Sequence, residues 1–159
     1  MNLQKNYTTT VSRGDVAQLI VNLLEKCMSK PIEEIMTDKN VQINNSVFTD
    51  TEDKAILSAN ALGIINGVGG GTFDPNGTLT RAQIAAILNR ITGTMGQETD
   101  GFSHGFTDVA GHWVDTELGW PVHAEIINGV GNNMFDPEGN LTIEQVIALT
   151  YRALSKLTL

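Results

Sequence analysis

The sequence predicts an all-α fold assembled from repeated turn-plus-helix units, with little or no strand. Three observations carry this. First, Gly63 to Ile91, GIINGVGGGTFDPNGTLTRAQIAAILNRI, reappears from Glu125 to Ala153 as EIINGVGNNMFDPEGNLTIEQVIALTYRA. Second, in both copies a Gly- and Asn-rich turn leads into a segment with apolar residues at helical spacing. Third, each segment opens with a capping signature, Thr80 with Gln83 and Thr142 with Gln145. Gly129, Pro137 and Thr142 follow Gly67, Pro75 and Thr80 by 62 residues each. Units of this size cannot bury an apolar face alone and must stack.

In chain order, the polar segment 1–10 reads as an extended or disordered lead-in. Ser12 caps a first helix, with Asp15 at its third position. Val16, Leu19, Ile20, Leu23, Leu24 and Cys27 give its apolar period. Lys26 and Lys30 suit the negative end of its dipole. Pro31 stops it and opens a short second helix, PIEEIMTD, with Glu33 and Glu34 in the first turn. Residues 38–47 form a connector with a short extended piece.

The first full unit starts at Phe48-Thr49-Asp50. Its entry helix turns Ala55, Ile56, Ala59, Leu62 and Ile65 inward, and Asn66-Gly67 with Gly69 to Gly71 break it. Phe73 plugs the core, and Asp74-Pro75-Asn76-Gly77 has strong turn chemistry. A helix follows with Ile84, Ile87, Leu88 and Ile91 buried, and Gly93 is expected as its C-cap. After a polar linker, Phe106-Thr107-Asp108 starts the second full unit. Its entry is four residues longer, since Phe106 follows Phe48 by only 58. Val146, Leu149, Ala153 and Leu154 complete its stripe. The organisation is thus 11–47, a partial unit with connector; 48–93, a full unit; and 106–157, a second full unit.

At 159 residues and 41% hydrophobic, the chain can bury the core of one compact array. A net charge of −8 with ten Lys and Arg excludes bulk electrostatic binding to nucleic acid or to an anionic membrane. No apolar run reaches the length of a membrane span, so no insertion is expected. MNLQKNYTTT lacks a secretory pattern, which points to a cytoplasmic protein or a fragment whose signal lies elsewhere. The single cysteine, Cys27, excludes an intrachain disulfide and a thiolate-rich zinc site. Its place on the apolar face reads as a packed thiol.

Arg13 and Arg81 each occupy the first helical position, where a cation opposes the helix dipole. Either each pairs locally with an acid, Asp15 or Asp74, or each joins free helix N–H groups in binding an anion. The glycine spacing from Asn66 to Gly71 does not match a dinucleotide loop, and no βαβ context surrounds it. This turn and its counterpart at Asn128-Gly129 read as structural, with backbone available to line a sugar site. Asp74 to Thr78 lacks the ligand pattern of a calcium loop. His104, His112 and His123 share no metal spacing. Trp113 and Trp120 read as packing for the last entry helix, with Trp113 the alternative platform for a sugar ring. Asp115 and Glu117 do not form a glycosidase pair. No nucleophile–base constellation is present, so no reaction and no cofactor are expected.

The order Phe-x-Asp, His-Trp, Gly-Ile-Ile-Asn-Gly, Gly-x-Phe-x-Pro and Thr-Arg-Ala-Gln resembles the S-layer homology domain. The first full unit matches at Phe48, Asp50, Gly63 to Gly67, Gly71 to Pro75 and Thr80 to Gln83. The second matches at Phe106, Asp108, His112-Trp113, Ile126 to Gly129, Phe135 to Pro137 and Thr142 to Gln145. The resemblance implies a pseudo-threefold helical bundle with grooves between repeats. It further implies a bacterial extracellular module that anchors proteins to pyruvylated secondary cell-wall polysaccharide. Arg81, Gln83, Arg13, Asn66, Gly67, Asn128, Gly129, Trp113 and Glu144 are then the candidate ligand-binding residues.

There are departures. The partial unit lacks Phe-x-Asp and the glycine-rich half, the first full unit lacks His-Trp, and Thr142-Ile143-Glu144-Gln145 has no arginine. One or two competent grooves are therefore expected rather than three, with self-association through the incomplete first repeat as a further expectation. The alternative is a protein–protein or structural module that has lost sugar binding. For a chain of this net charge to hold an anionic polymer, local arginines and helix dipoles must act within a Debye length of about 8–10 Å, with avidity from several grooves.

Overall fold

The computed structural model describes residues 9–157, so residues 1–8 of the lead-in expected over 1–10 lie outside it. Six α-helices occur among the described residues: α1 (Arg13–Met28), α2 (Ile32–Asp38), α3 (Lys54–Ala61), α4 (Arg81–Thr94), α5 (Gly119–His123) and α6 (Ile143–Leu157). A 3₁₀ turn, Asp115–Glu117, precedes α5. Among these residues the only β pairing is isolated bridges, so the connector at 38–47 carries no strand.

The caps explain where the helices begin. Ser12 accepts from the Asp15 N–H, and Thr80 forms a full capping box with Gln83. Asp53 caps α3 by accepting from the Ala55 and Ile56 N–H groups. Lys30 reaches across to Glu34 and Asp38 and ties the end of α1 to α2.

Two stops lie elsewhere than expected. α4 runs through Gly93 and ends in a Schellman motif at Gly96, with φ +82°. Gly96 N–H donates to Gly93 O at 2.9 Å and Gln97 N–H to Thr92 O at 3.2 Å. α3 ends at Gly63, φ +74°, rather than at Asn66-Gly67. Gly63 N–H donates to Asn60 O at 2.8 Å and Ile64 N–H to Ala59 O at 3.0 Å. Having left the helix, Ile64 and Ile65 bury their side chains as part of the turn. The second full unit repeats this stop with Glu125 in the left-handed position, φ 58°.

α1, α4 and α6 are the pseudo-equivalent helices of the three units. Val16, Ile84 and Val146 form one layer between them, and Leu19, Ile87 and Leu149 the next. A closed collar joins their N-termini. Isolated bridges pair Ser12 with Thr78, Thr80 with Asn140, and Thr142 with Thr10. The first N–H of each helix donates to the segment entering the next: Arg13 to Gly77 O at 2.8 Å, Arg81 to Gly139 O at 2.7 Å, and Ile143 to Thr9 O at 2.9 Å. Each unit thus completes its neighbour, and the short segment before α1 closes the ring where a glycine-rich turn is missing.

Among the described residues the outer layer is thinner in the same place. α3 packs on α1, and the 3₁₀ turn with α5 packs on α4. Among the described residues no entry helix covers α6 to that extent. The consequence shows at one equivalent position. Ala17 and Ala85 are fully covered, whereas Ile147 is 48% exposed, with Tyr151 one turn on at 74%.

Candidate functional site: two inter-repeat grooves

Each full unit presents the same turn. Asp50 accepts the Phe73 N–H at 2.9 Å on one oxygen and the Asp74 N–H at 2.8 Å on the other. Asp108 does the same for Phe135 and Asp136, at 2.8 and 2.7 Å. This explains the Phe-x-Asp pattern: the carboxylate holds a turn in which Asp74 and Asp136 take the left-handed conformation, φ 58° in each. The N–H groups of Phe73 and Asp74 hold the Asp50 carboxyl below its usual range. At Asp108, burial pushes the other way, but the two N–H bonds outweigh it.

The two arginines dock into these turns across repeat boundaries. Arg13 Nε donates to Phe73 O at 2.8 Å and Nη2 to Asn66 O at 2.6 Å, with the guanidinium 4.6 Å from the Phe73 ring centre. Arg81 repeats the pattern on Phe135 O at 2.8 Å, Asn128 O at 2.6 Å and the Phe135 ring at 4.8 Å. Phe73 and Phe135 are fully buried. Desolvation lowers the pKa of both arginines, partly countered by Asp74 and Asp50 for Arg13 and by Asp136 and Asp108 for Arg81. Arginine's planar fork suits two carbonyls plus a ring face, which an ammonium cannot match. Neither arginine pairs locally with an acid, one of the two readings its position left open.

The other reading also changes in detail. The leading helix N–H groups are not free for an anion, because the neighbouring turn consumes them. Gly14 N–H donates to Pro75 O at 2.8 Å and Ala82 N–H to Pro137 O at 2.9 Å, next to the Arg13 and Arg81 bonds above. The third N–H of each helix goes to its cap. An anion must therefore be held by side chains and turn backbone. Each arginine has five N–H groups, and two here are committed to carbonyls.

Two grooves run beside these arginines, each lined by a turn and the next central helix. Groove A is lined by Arg13, Asn66, Gly67, Gln83, Arg90 and Trp113, among others. Groove B has Arg81, Asn128, Gly129, Gln145 and Arg152 in the matching places. Glycine is required at the turn: a Cβ on Gly67 would lie 2.5 Å from Thr72 O and 2.6 Å from the Phe48 ring. Gln83 and Gln145 are held facing the grooves by accepting the Thr80 and Thr142 N–H groups, each at 2.9 Å.

Of the candidate residues, Arg13, Asn66, Gly67, Gln83 and Trp113 meet in groove A, and Arg81, Asn128 and Gly129 in groove B. Arg81 and Gln83, two residues apart on α4, serve different grooves. Trp113 does not pack the entry helix: it is 52% exposed at the mouth of groove A, while Trp120 is buried. Glu144 is exposed and lines neither groove; Gln145 takes the place expected of it. Arg90, Arg152 and Gln145 were not singled out from sequence. Their signal was available, since Arg152 follows Arg90 by the same 62 residues.

The third place in the ring is different. Val11, Asp15, Gln18, Leu19, Ile143 and Val146 line a groove between α6 and α1. Ile143 stands where the other helices carry arginine, and among the described residues no glycine-rich turn faces it. Cys27 is half-buried, and burial raises its thiol pKa, as suits an unreactive packed thiol.

A sequence model of the S-layer homology domain matches residues 49–85 and 105–147, about half of the chain. The chain is 33% identical over 115 residues to the cell surface protein of Thermoanaerobacter kivui, covering 67% of this chain and 15% of that protein. It is 29% identical over 104 residues to the middle cell wall protein of Brevibacillus brevis, covering 64% of this chain and 10% of the relative. It is 33% identical over 90 residues to an endoglucanase of a Bacillus species, covering 57% of this chain and 9% of the enzyme. The chain thus spans 15%, 10% and 9% of the length of these relatives. It belongs to the S-layer homology domain family, whose members are non-catalytic modules that anchor proteins at the bacterial cell surface.

Proposed function

We propose that this module anchors its protein by binding pyruvylated secondary cell-wall polysaccharide in grooves A and B. The observation that carries the reading is the pair of matching grooves, each joining a docked arginine, an Asn-Gly turn, a helix-capping glutamine and a second arginine. A pyruvyl ketal presents one carboxylate on a sugar ring. Arginine N–H groups not committed to turn carbonyls meet its charge, and the amide side chains meet ring hydroxyls. The net charge of −8 opposes the polymer at long range, so affinity per groove is modest and the two grooves act together along one chain. Co-sedimentation with purified pyruvylated cell walls tests this. The wild-type chain is expected in the pellet, with Arg81→Gln largely in the supernatant despite an unchanged circular dichroism spectrum. Equal behaviour of the two folded proteins, in either fraction, overturns the reading.

A second reading has its own observation. The uncovered α6 face at Ile147 and Tyr151, beside the arginine-free third groove, suits association with another protein surface or a second copy of this chain. Sedimentation equilibrium of the full chain, with Tyr151→Ser as control, decides it. A monomer at all concentrations excludes self-association.

A further inference from the structure

We infer that grooves A and B are not equivalent: groove B takes the charged sugar of the polysaccharide, and groove A takes an uncharged ring. This rests on the polysaccharide reading above and deepens it. The difference lies in the second arginine of each groove. In groove A, Arg90 Nε and Nη2 donate to Glu117 Oε2 and Oε1 at 3.0 and 2.8 Å, a two-pronged pair that uses the guanidinium's fork. In groove B, among the described residues, no carboxylate lies within salt-bridge distance of Arg152. Its one side-chain bond is a 3.4 Å contact to Ile126 O, matching the 3.4 Å contact of Arg90 to Ile64 O.

The first arginine differs in the same sense. Arg13 is only 3% exposed, so little of its guanidinium reaches groove A. Arg81 is half-buried and opens into groove B. Acidic neighbours do not account for the contrast, because Asp74 and Asp50 stand to Arg13 as Asp136 and Asp108 stand to Arg81. A carboxylate entering groove A would have to compete with Glu117 for an arginine already engaged. The same carboxylate in groove B meets two arginines with unused N–H groups. Groove A has an asset that groove B lacks: the exposed indole of Trp113, an apolar plate for the face of a sugar ring.

The contrast follows the entry segments. Glu117 and Trp113 come from the entry segment that packs on α4. Among the described residues no such segment packs on α6, and none of them brings a carboxylate to Arg152 or an aromatic to groove B.

The experiment titrates the full chain with fragments of purified wall polysaccharide, intact or stripped of their pyruvyl ketals by mild acid. Arg152→Gln is expected to weaken binding of intact fragments about tenfold, the order of one charge-assisted contact, and to leave stripped fragments within twofold. Trp113→Ala is expected to weaken stripped fragments the more. Glu117→Gln releases Arg90 and is expected to strengthen binding of intact fragments severalfold. No gain in Glu117→Gln, or equal losses for both fragment types in Arg152→Gln, overturns the inference while leaving the anchoring reading intact. Failure of wild type to bind either fragment overturns the anchoring reading itself. Arg152 is exposed with a single long contact, so folded Arg152→Gln is available for the test.

Discussion

Replacing Arg13 by methionine separates what this residue does for the fold from what its position suggests about ligands. Methionine keeps an unbranched apolar stem of similar reach and removes the fork. The loss is two charge-assisted bonds, to Phe73 O at 2.8 Å and Asn66 O at 2.6 Å, and the guanidinium stacked 4.6 Å from the Phe73 ring centre. Such bonds are worth about 1.5–3 kcal/mol each, and the ring contact adds about 1 kcal/mol. Part of this is offset, because desolvating the guanidinium is unfavourable, as its lowered pKa reflects. A net loss of about 3 kcal/mol is expected, or about 6–12 °C in melting midpoint for a chain of this size. Arg81→Met removes the same contacts at a half-buried site, where water replaces part of the lost partners, and is expected to cost about half as much. Urea unfolding followed by circular dichroism measures both, with an unchanged slope showing that compactness is unaltered. A loss under about 1 kcal/mol for Arg13→Met, or one no larger than that of Arg81→Met, refutes the assignment of Arg13 as the inter-repeat staple.

Three further predictions concern the turns. Glu125 occupies the left-handed stop that Gly63 occupies in the other full unit, so Glu125→Gly is expected to stabilise by about 0.5–1 kcal/mol and Gly63→Ala to destabilise by about 1 kcal/mol, both read from urea midpoints. Asp50 and Asp108 titrate below their usual range when folded, so their contribution is complete above about pH 4 and is lost as pH falls through the folded values. Acid unfolding should therefore be less steep in Asp108→Asn, which is also less stable at pH 7. Gly67→Ala forces a Cβ against Thr72 O and the Phe48 ring and is expected to cost about 2 kcal/mol or more, lowering the thermal midpoint measurably.

Much of the fold was legible because its signals are local. Ser12, Thr80 and Thr142 announce helix starts through bonds to residues three positions on. The stacked apolar layers at Leu19, Ile87 and Leu149 follow from helical periodicity. The misplaced stops at Gly63 and Gly96 show the limit of such reading. Several glycines lie near each helix end, and which one turns left-handed depends on which carbonyls remain unpaired.

By itself the sequence determined the helical class, the repeat register, the caps and turns, and the family. All rest on contacts within a few residues or on motifs repeated in order. Only the tertiary structure decided what the site residues do. Arg13 and Arg81 reach partners 47 to 60 residues away, in the next repeat's turn. The leading helix N–H groups, which the sequence left open for an anion, are consumed by Gly77, Pro75, Gly139 and Pro137 across the same boundary. Among the described residues Arg90 has a carboxylate partner and Arg152 has none, and an entry segment packs on α4 while none packs on α6 to that extent. The ring closes between units, so the partners of a groove residue are set by which repeat stands next to it, and no spacing within one repeat encodes that.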